Sequence, residues 1–187
     1  MPANIEIKAR IEDFEASSAL ASKIADDPKP TILQQCDTFF HASNGRLKLR
    51  QQRHVSLKGD DVEESGLTFA ELIAYDRTDS EGPKQSTYSK SKIVGSNAKS
   101  LEEVLTVSCG VKGIVTKKRH LFLVDQTRIH LDKVEGLEGA FLELEVVMKE
   151  GQTEEEGKKI AEDLMGKLNV VEADLMAGAY LDLLKKL

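Results

Sequence analysis

The chain has 187 residues, 40% hydrophobic and 31% charged, with a formal net charge of -6, proportions of an ordinary globular protein. No stretch approaches the roughly 20 apolar residues that cross a bilayer, and the first ten residues carry charges rather than a signal core. The acidic balance argues against general nucleic-acid binding, and two cysteines, Cys36 and Cys109, exclude a disulfide scaffold or a four-thiol zinc site. The expectation is one cytoplasmic domain over residues 1–187, with neither membrane nor nucleic acid as a partner.

Ile5, Ile7, Ala9 and Ile11 alternate with Asn4, Glu6, Lys8 and Arg10, which predicts a strand. From Phe14 to Ala25 the apolar spacing lengthens to four, predicting a helix ended by Asp27, Pro28 and Pro30. Strands are expected over Thr31–Phe40, Arg46–Gln51 and Glu71–Tyr75, with a turn at Gly45 and an acidic turn region from Gly59 to Gly66. Asp79 to Gln85, with Gly82 and Pro83, reads as a surface loop. Ser100 and Glu103 read as a capping box for a short helix. Four strands follow, Val111–Thr116, Lys118–Val124, Thr127–Leu131 and Phe141–Met148. Thr153 and Glu156 cap another helix, and the tail from Val171 is expected to be helical and to pack through Leu175, Tyr180, Leu183 and Leu184. The connections are too short for crossover helices, so the pairing is mostly antiparallel.

The polar sides of these strands carry the functional signal. Arg46, Lys48 and Arg50 put three cations on one strand face with no acid between them, an arrangement that repels itself unless an anion compensates it. Arg128, His130 and Asp132 occupy a second face, and Glu143 and Glu145 a third. The carboxylates, with Glu6 if its strand lies nearby, are hard oxygen donors suited to Mg²⁺ or Mn²⁺. Arginine forks and lysine point charges together suit a chain of phosphates, and a sheet closed into a barrel would turn both sets inward. His130 could donate to phosphate or be satisfied by a neighbouring strand, whereas His41, His54 and His120 read as structural or exposed. Glu154 to Glu156 fit the start of a helix.

Asn4-Ile-Glu-Ile-Lys8, Arg46-Leu-Lys-Leu-Arg50, Lys117-Lys-Arg119, Arg128-Ile-His-Leu-Asp132 and Phe141-Leu-Glu-Leu-Glu145, in that order, resemble the CYTH superfamily of triphosphate tunnel enzymes. The likeness is greatest to its class IV adenylyl cyclase-like branch. It implies an α+β fold in which an eight-stranded antiparallel barrel forms a tunnel with flanking helices. It also implies that Lys8, Arg46, Lys48, Arg50, Arg77, Lys84, Arg119, Arg128 and His130 bind triphosphate, and that Glu6, Asp132, Glu143 and Glu145 bind metal. Asn4 departs from the pattern, because the family signature begins with a glutamate there.

The leading expectation is hydrolysis of inorganic or organic triphosphate with Mg²⁺ or Mn²⁺, Lys8 orienting or activating the attacking water. The alternatives are cyclisation of ATP to cyclic AMP and pyrophosphate, and triphosphate binding without turnover. A homodimer through the barrel exterior or the helices is a further expectation from the resemblance.

Overall fold

The computed structural model describes residues 2–58 and 61–186. Its strands are β1 (Ala3–Ile11), β2 (Thr31–Phe40), β3 (Arg46–Lys58), β4 (Asp61–Arg77), β5 (Lys84–Ile93), β6 (Val111–Val124), β7 (Thr127–Val134) and β8 (Ala140–Val147). The helices are α1 (Phe14–Ile24), α2 (Gly95–Cys109), α3 (Glu154–Lys167) and the short α4 (Tyr180–Leu184). All eight strands join in one closed antiparallel barrel in the order β1-β5-β4-β3-β2-β6-β7-β8. No helix among the described residues is long and apolar enough to cross a membrane.

Alternation decides which side of the wall is apolar, and the answer inverts the usual barrel. Ile7, Ala9 and Ile11 of β1, Ile129 and Leu131 of β7, and Leu142 and Leu144 of β8 face outward, where Ala21 of α1 and Leu164 and Met165 of α3 cover them. The main core therefore lies between barrel and helices, and the lumen is left to the polar residues at the intervening positions. A second core, Phe39, Val115, Val134 and Phe141, is closed by Tyr180 and Leu181 from the C-terminal segment. That segment is fastened to the wall by an Ala9–Leu175 bridge and by Met176 N donating to Lys8 O at 2.9 Å.

Two helix starts follow their side-chain chemistry. Asp13 Oδ1 accepts from Ala16 N at the start of α1, and at α3 Glu156 Oε2 accepts from Thr153 N at 2.7 Å while Glu156 N donates to Thr153 Oγ1. At the predicted turn, Gly45 has φ +61°, and a Cβ there would lie 2.7 Å from the Tyr75 carbonyl oxygen.

Several sequence expectations are corrected. β5 begins at Lys84, inside the expected loop, and no strand is expected over the rest of it because Lys-Gln-Ser-Thr-Tyr-Ser-Lys-Ser-Lys-Ile lacks an apolar face: one side lines the lumen and the other is largely exposed. The two strands expected over 111–124 are one, β6, so the expected total of eight was reached by one omission and one division. Ser100 lies inside α2 and donates to Asn97 O instead of capping, since the helix already begins at Gly95. Asp61 to Gly66 belong to β4 rather than to a turn, while Gly59 and Asp60 lie outside the described residues. The tail forms a 3₁₀ turn at Glu172–Asp174 and a five-residue helix instead of one long helix.

A core outside the barrel makes a direct prediction. Leu144→Ala, at a fully buried position beneath the helices, is expected to cost about 2–5 kcal/mol, read as a lower urea midpoint with an unchanged slope. A loss below about 1 kcal/mol would contradict this placement of the core.

Candidate functional site

The lumen holds a cavity of about 540 Å³, within the usual range for small-molecule sites. Of the sequence-predicted residues, Glu6, Lys8, Lys48, Arg50, Arg77, Arg119, Arg128, His130, Glu143 and Glu145 all line it. Strand register explains the convergence. Glu6 stands opposite Glu145 and Lys8 opposite Glu143 across β1 and β8, while Arg128 and His130 of β7 oppose the same two glutamates from the other side.

Three predicted residues sit elsewhere. Arg46 is held at the rim by Asp79, 2.6 Å away, and lies 3.9 Å from Asp182. Lys84 is buried and donates to the Ser80 carbonyl. Asp132, on the same face of β7 as Arg128 and His130, is fully buried and accepts two hydrogen bonds from Arg119, at 2.7 and 2.6 Å, and one from the Tyr180 hydroxyl at 2.9 Å. Its oxygens are committed to Arg119 and Tyr180 and serve to orient Arg119.

One acid that braces the cations, Asp37, lies outside the residues expected from the sequence. Asp37 of β2, 1% exposed, accepts from Arg50 Nε and Nη2, both at 2.7 Å, and from Lys48 Nζ at 3.0 Å. Burial alone would raise the Asp37 carboxyl, but Arg50 and Lys48 outweigh it and hold it well below the usual carboxylate range. Lys117 is the second missed residue. Its ammonium lies 3.9 Å from both Asp37 and Asp132, and burial, then the neighbouring Arg119, pushes it down to about 7. Both were legible in principle. Asp37 alternates with Leu33, Gln35 and Phe39 on the lumenal face of β2, and Lys117 shares Arg119's face, a relation lost when β6 was divided between them.

Lys8 Nζ donates to Glu143 Oε1 at 2.9 Å and to the Gly178 carbonyl at 3.5 Å, and lies 3.8 Å above the Tyr180 ring. These contacts hold an ammonium as a charge and a donor. Tyr180, expected from the sequence to pack in the core, thus also orders Lys8 and Asp132. Arg77 donates to Glu6 at 2.8 Å and to the Gly178 carbonyl at 3.0 Å, so the C-terminal segment reaches the basic wall directly.

Glu6, Glu143 and Glu145 supply only oxygen, the donor type for Mg²⁺ or Mn²⁺. Among the described residues no three acidic, histidine or cysteine side chains make a preassembled metal site, because each glutamate is drawn to a cation. Glu143 also receives Arg119 at 2.7 Å, and Glu145 receives Arg128 at 2.7 Å. Two observations nevertheless fit a divalent ion. Burial, with a smaller push from the neighbouring Glu145 and Glu143, keeps the Glu6 carboxyl above its ordinary value despite Arg77, and a bound cation would favour its charged form. Asn4 Oδ1, buried on the same strand and lining the cavity, has no hydrogen-bond partner among the described residues.

Comparison with known proteins follows this geometry. A family model for the CYTH domain matches residues 2–180. The PH1012 protein of Pyrococcus horikoshii OT3 superposes with a TM-score of 0.74 at 22% identity, covering 96% of this chain and 98% of its own. An adenylate cyclase candidate from Vibrio parahaemolyticus gives 0.71 at 18% identity, with 97% of each chain covered. HpAC1 from Hippeastrum, described as a candidate adenylyl cyclase with a dominant triphosphatase activity, gives 0.60 at 15% identity over 98% of this chain and 95% of its own. At these identities the likeness is one of fold. No curated protein sequence matches the chain.

Asp37→Ala leaves two buried cations without their carboxylate and is expected to cost about 3–5 kcal/mol at neutral pH, measured by urea unfolding. Because the folded-state pKa of Asp37 is depressed, its stabilisation is fully present above the unfolded value of about 3.9 and is lost as the pH falls through the lower folded value. A deficit that did not shrink on such acidification would contradict the ion-pair account.

Proposed function

With a family match over residues 2–180 the chain belongs to the CYTH family, and we propose that it hydrolyses a triphosphate held in the barrel lumen with the help of a divalent metal ion. Members of this family are triphosphatases or adenylyl cyclase-like enzymes, and they depend in general on divalent metal. The observation that carries the proposal is the distribution of charge around one cavity. Lys48, Arg50, Lys117 and Arg119 line its β2, β3 and β6 side, and Asn4, Glu6, Glu143 and Glu145 its β1 and β8 side.

Each part has a chemical use. Arg50, fixed by Asp37 through two of its nitrogens, presents its remaining edge to phosphoryl oxygens in a set orientation. Arg119 is fixed likewise by Asp132. Such preorganised donors stabilise charge that builds on the phosphoryl oxygens and the leaving phosphate without reorganising during the reaction. Lys8 serves as a further positive donor. Asn4, Glu6 and Glu145 would hold the ion through their oxygens; when bound, it polarises a phosphoryl oxygen and offsets part of the substrate's charge. Attack by water in line with the departing phosphate breaks one phosphoanhydride bond and yields phosphate and the shortened anion.

The test is to incubate the protein with Mg²⁺ or Mn²⁺ and either inorganic triphosphate or ATP, and to resolve phosphate, pyrophosphate and cyclic AMP chromatographically. Phosphate release is expected, falling at least about 100-fold in Glu145→Gln, in line with loss of an electrostatic catalytic group. Cyclic AMP with pyrophosphate would replace hydrolysis by cyclisation. Tight binding with no product would identify a protein that keeps the tunnel without its chemistry.

A further inference from the structure

Lys48, Arg50, Lys117 and Arg119 crowd one side of the cavity, and the two buried acids among them, Asp37 and Asp132, are shared unequally. Arg50 takes both oxygens of Asp37 at 2.7 Å, and Lys48 donates to one of them at 3.0 Å. Arg119 takes both oxygens of Asp132, at 2.7 and 2.6 Å, and the Tyr180 hydroxyl adds a further bond at 2.9 Å. Lys117 is the cation left over.

Its residue is 3% exposed, and its Nζ stands 3.9 Å from Asp37 and 3.9 Å from Asp132, too far for a hydrogen bond to either. The Tyr180 ring, 5.1 Å away, already carries Lys8 at 3.8 Å. A buried ammonium is costly unless it is paired and hydrogen-bonded, and here Arg119 on the same strand and Arg50 on β3 add repulsion. Burial, then Arg119, brings the Lys117 amine down to about 7. Burial and then Arg50 also lower Lys48, but Lys48 keeps its bond to Asp37. For Arg50 and Arg119 burial is outweighed by Asp37 and Asp132, which hold both guanidiniums above the ordinary arginine value. The oxygens that Lys117 faces are thus committed to other donors, and Glu6 and Glu145, assigned above to a metal ion, belong to β1 and β8.

We infer that Lys117 is the variable charge of this wall, neutral while no polyanion is bound and protonated once one enters, so that binding draws a proton from solution. A chain of phosphoryl oxygens supplies what the amine lacks, an acceptor within hydrogen-bond reach and negative charge to offset the two guanidiniums. The proton goes onto Nζ, and the lumen gains that positive charge only when an anion is present to balance it. Affinity for the anion therefore falls as the pH rises through about 7. The inference rests on the triphosphate reading of the same cavity and adds its regulation by pH.

Calorimetric titration of the full chain with inorganic triphosphate at about pH 8, in buffers of differing ionisation enthalpy, counts the protons taken up on binding. Divalent metal is left out so that the ligand is not consumed. The ligand's own protons enter equally for wild type and for Lys117→Met, so the difference belongs to Lys117. Wild type is expected to take up about 0.9 proton more than the variant, the fraction of an amine titrating near 7 that is neutral at about pH 8. Its affinity relative to the variant is expected to fall about eightfold between about pH 7.5 and about pH 8.5. Lys117→Arg, which holds its charge throughout, supplies the same comparison where the methionine variant binds too weakly to titrate. Equal proton counts in wild type and variants overturn the inference and leave the triphosphate reading intact. Absence of triphosphate binding in wild type overturns both.

Discussion

Like charges turned into the closed lumen of a barrel repel one another and lose much of their hydration, and the rest of this structure can be read as the means of tolerating that. Two acids sit behind the cations at nearly complete burial. Asp37 braces Arg50 and Lys48, and Asp132 braces Arg119. Buried ion pairs of this kind recover the cost of desolvation only when their geometry satisfies most donors and acceptors. Here the geometry is bidentate in both cases, and each arginine is fixed with part of its surface facing the cavity. The same bracing that stabilises the fold therefore preorganises the site.

The location of the apolar core follows from this use of the lumen. A small barrel ordinarily fills its interior with side chains. Here the interior is committed to charge, so Ile7, Ile129, Leu131, Leu142 and Leu144 point outward and need a cover, which α1 and α3 provide. The C-terminal segment completes the arrangement at one end. Gly178 gives its carbonyl to Arg77 and Lys8, and Tyr180 places its ring beneath Lys8 and its hydroxyl on Asp132. It links packing at the barrel end to the order of the basic wall.

Alternation made the lumenal faces legible wherever an apolar residue marked every second position, as in β1, β7 and β8. β5 escaped because both of its faces are polar, which removes the contrast that periodicity depends on. Asp37 is a single acid among apolar and amide residues on its face of β2, and Lys117 falls at the junction of two expected strands, so neither stands out in a charged alternating face. Pairing across strands is a property of the closed sheet, and no local sequence pattern encodes it. Asn4 is visible as a departure from the family signature, but only the fold shows its side-chain oxygen buried on the strand of Glu6, without a hydrogen-bond partner among the described residues.

If the lumenal cations are arranged for a polyanion, the folded state must bind one and the unfolded chain must not. The direct measurement is urea unfolding in increasing inorganic triphosphate at constant ionic strength, without added divalent metal so that the ligand is not consumed. Linkage then predicts that stability rises by about 1.4 kcal/mol for each tenfold increase in ligand above the dissociation constant. An unfolding free energy independent of triphosphate would contradict the account, leaving the charged lumen without the anion it is built around.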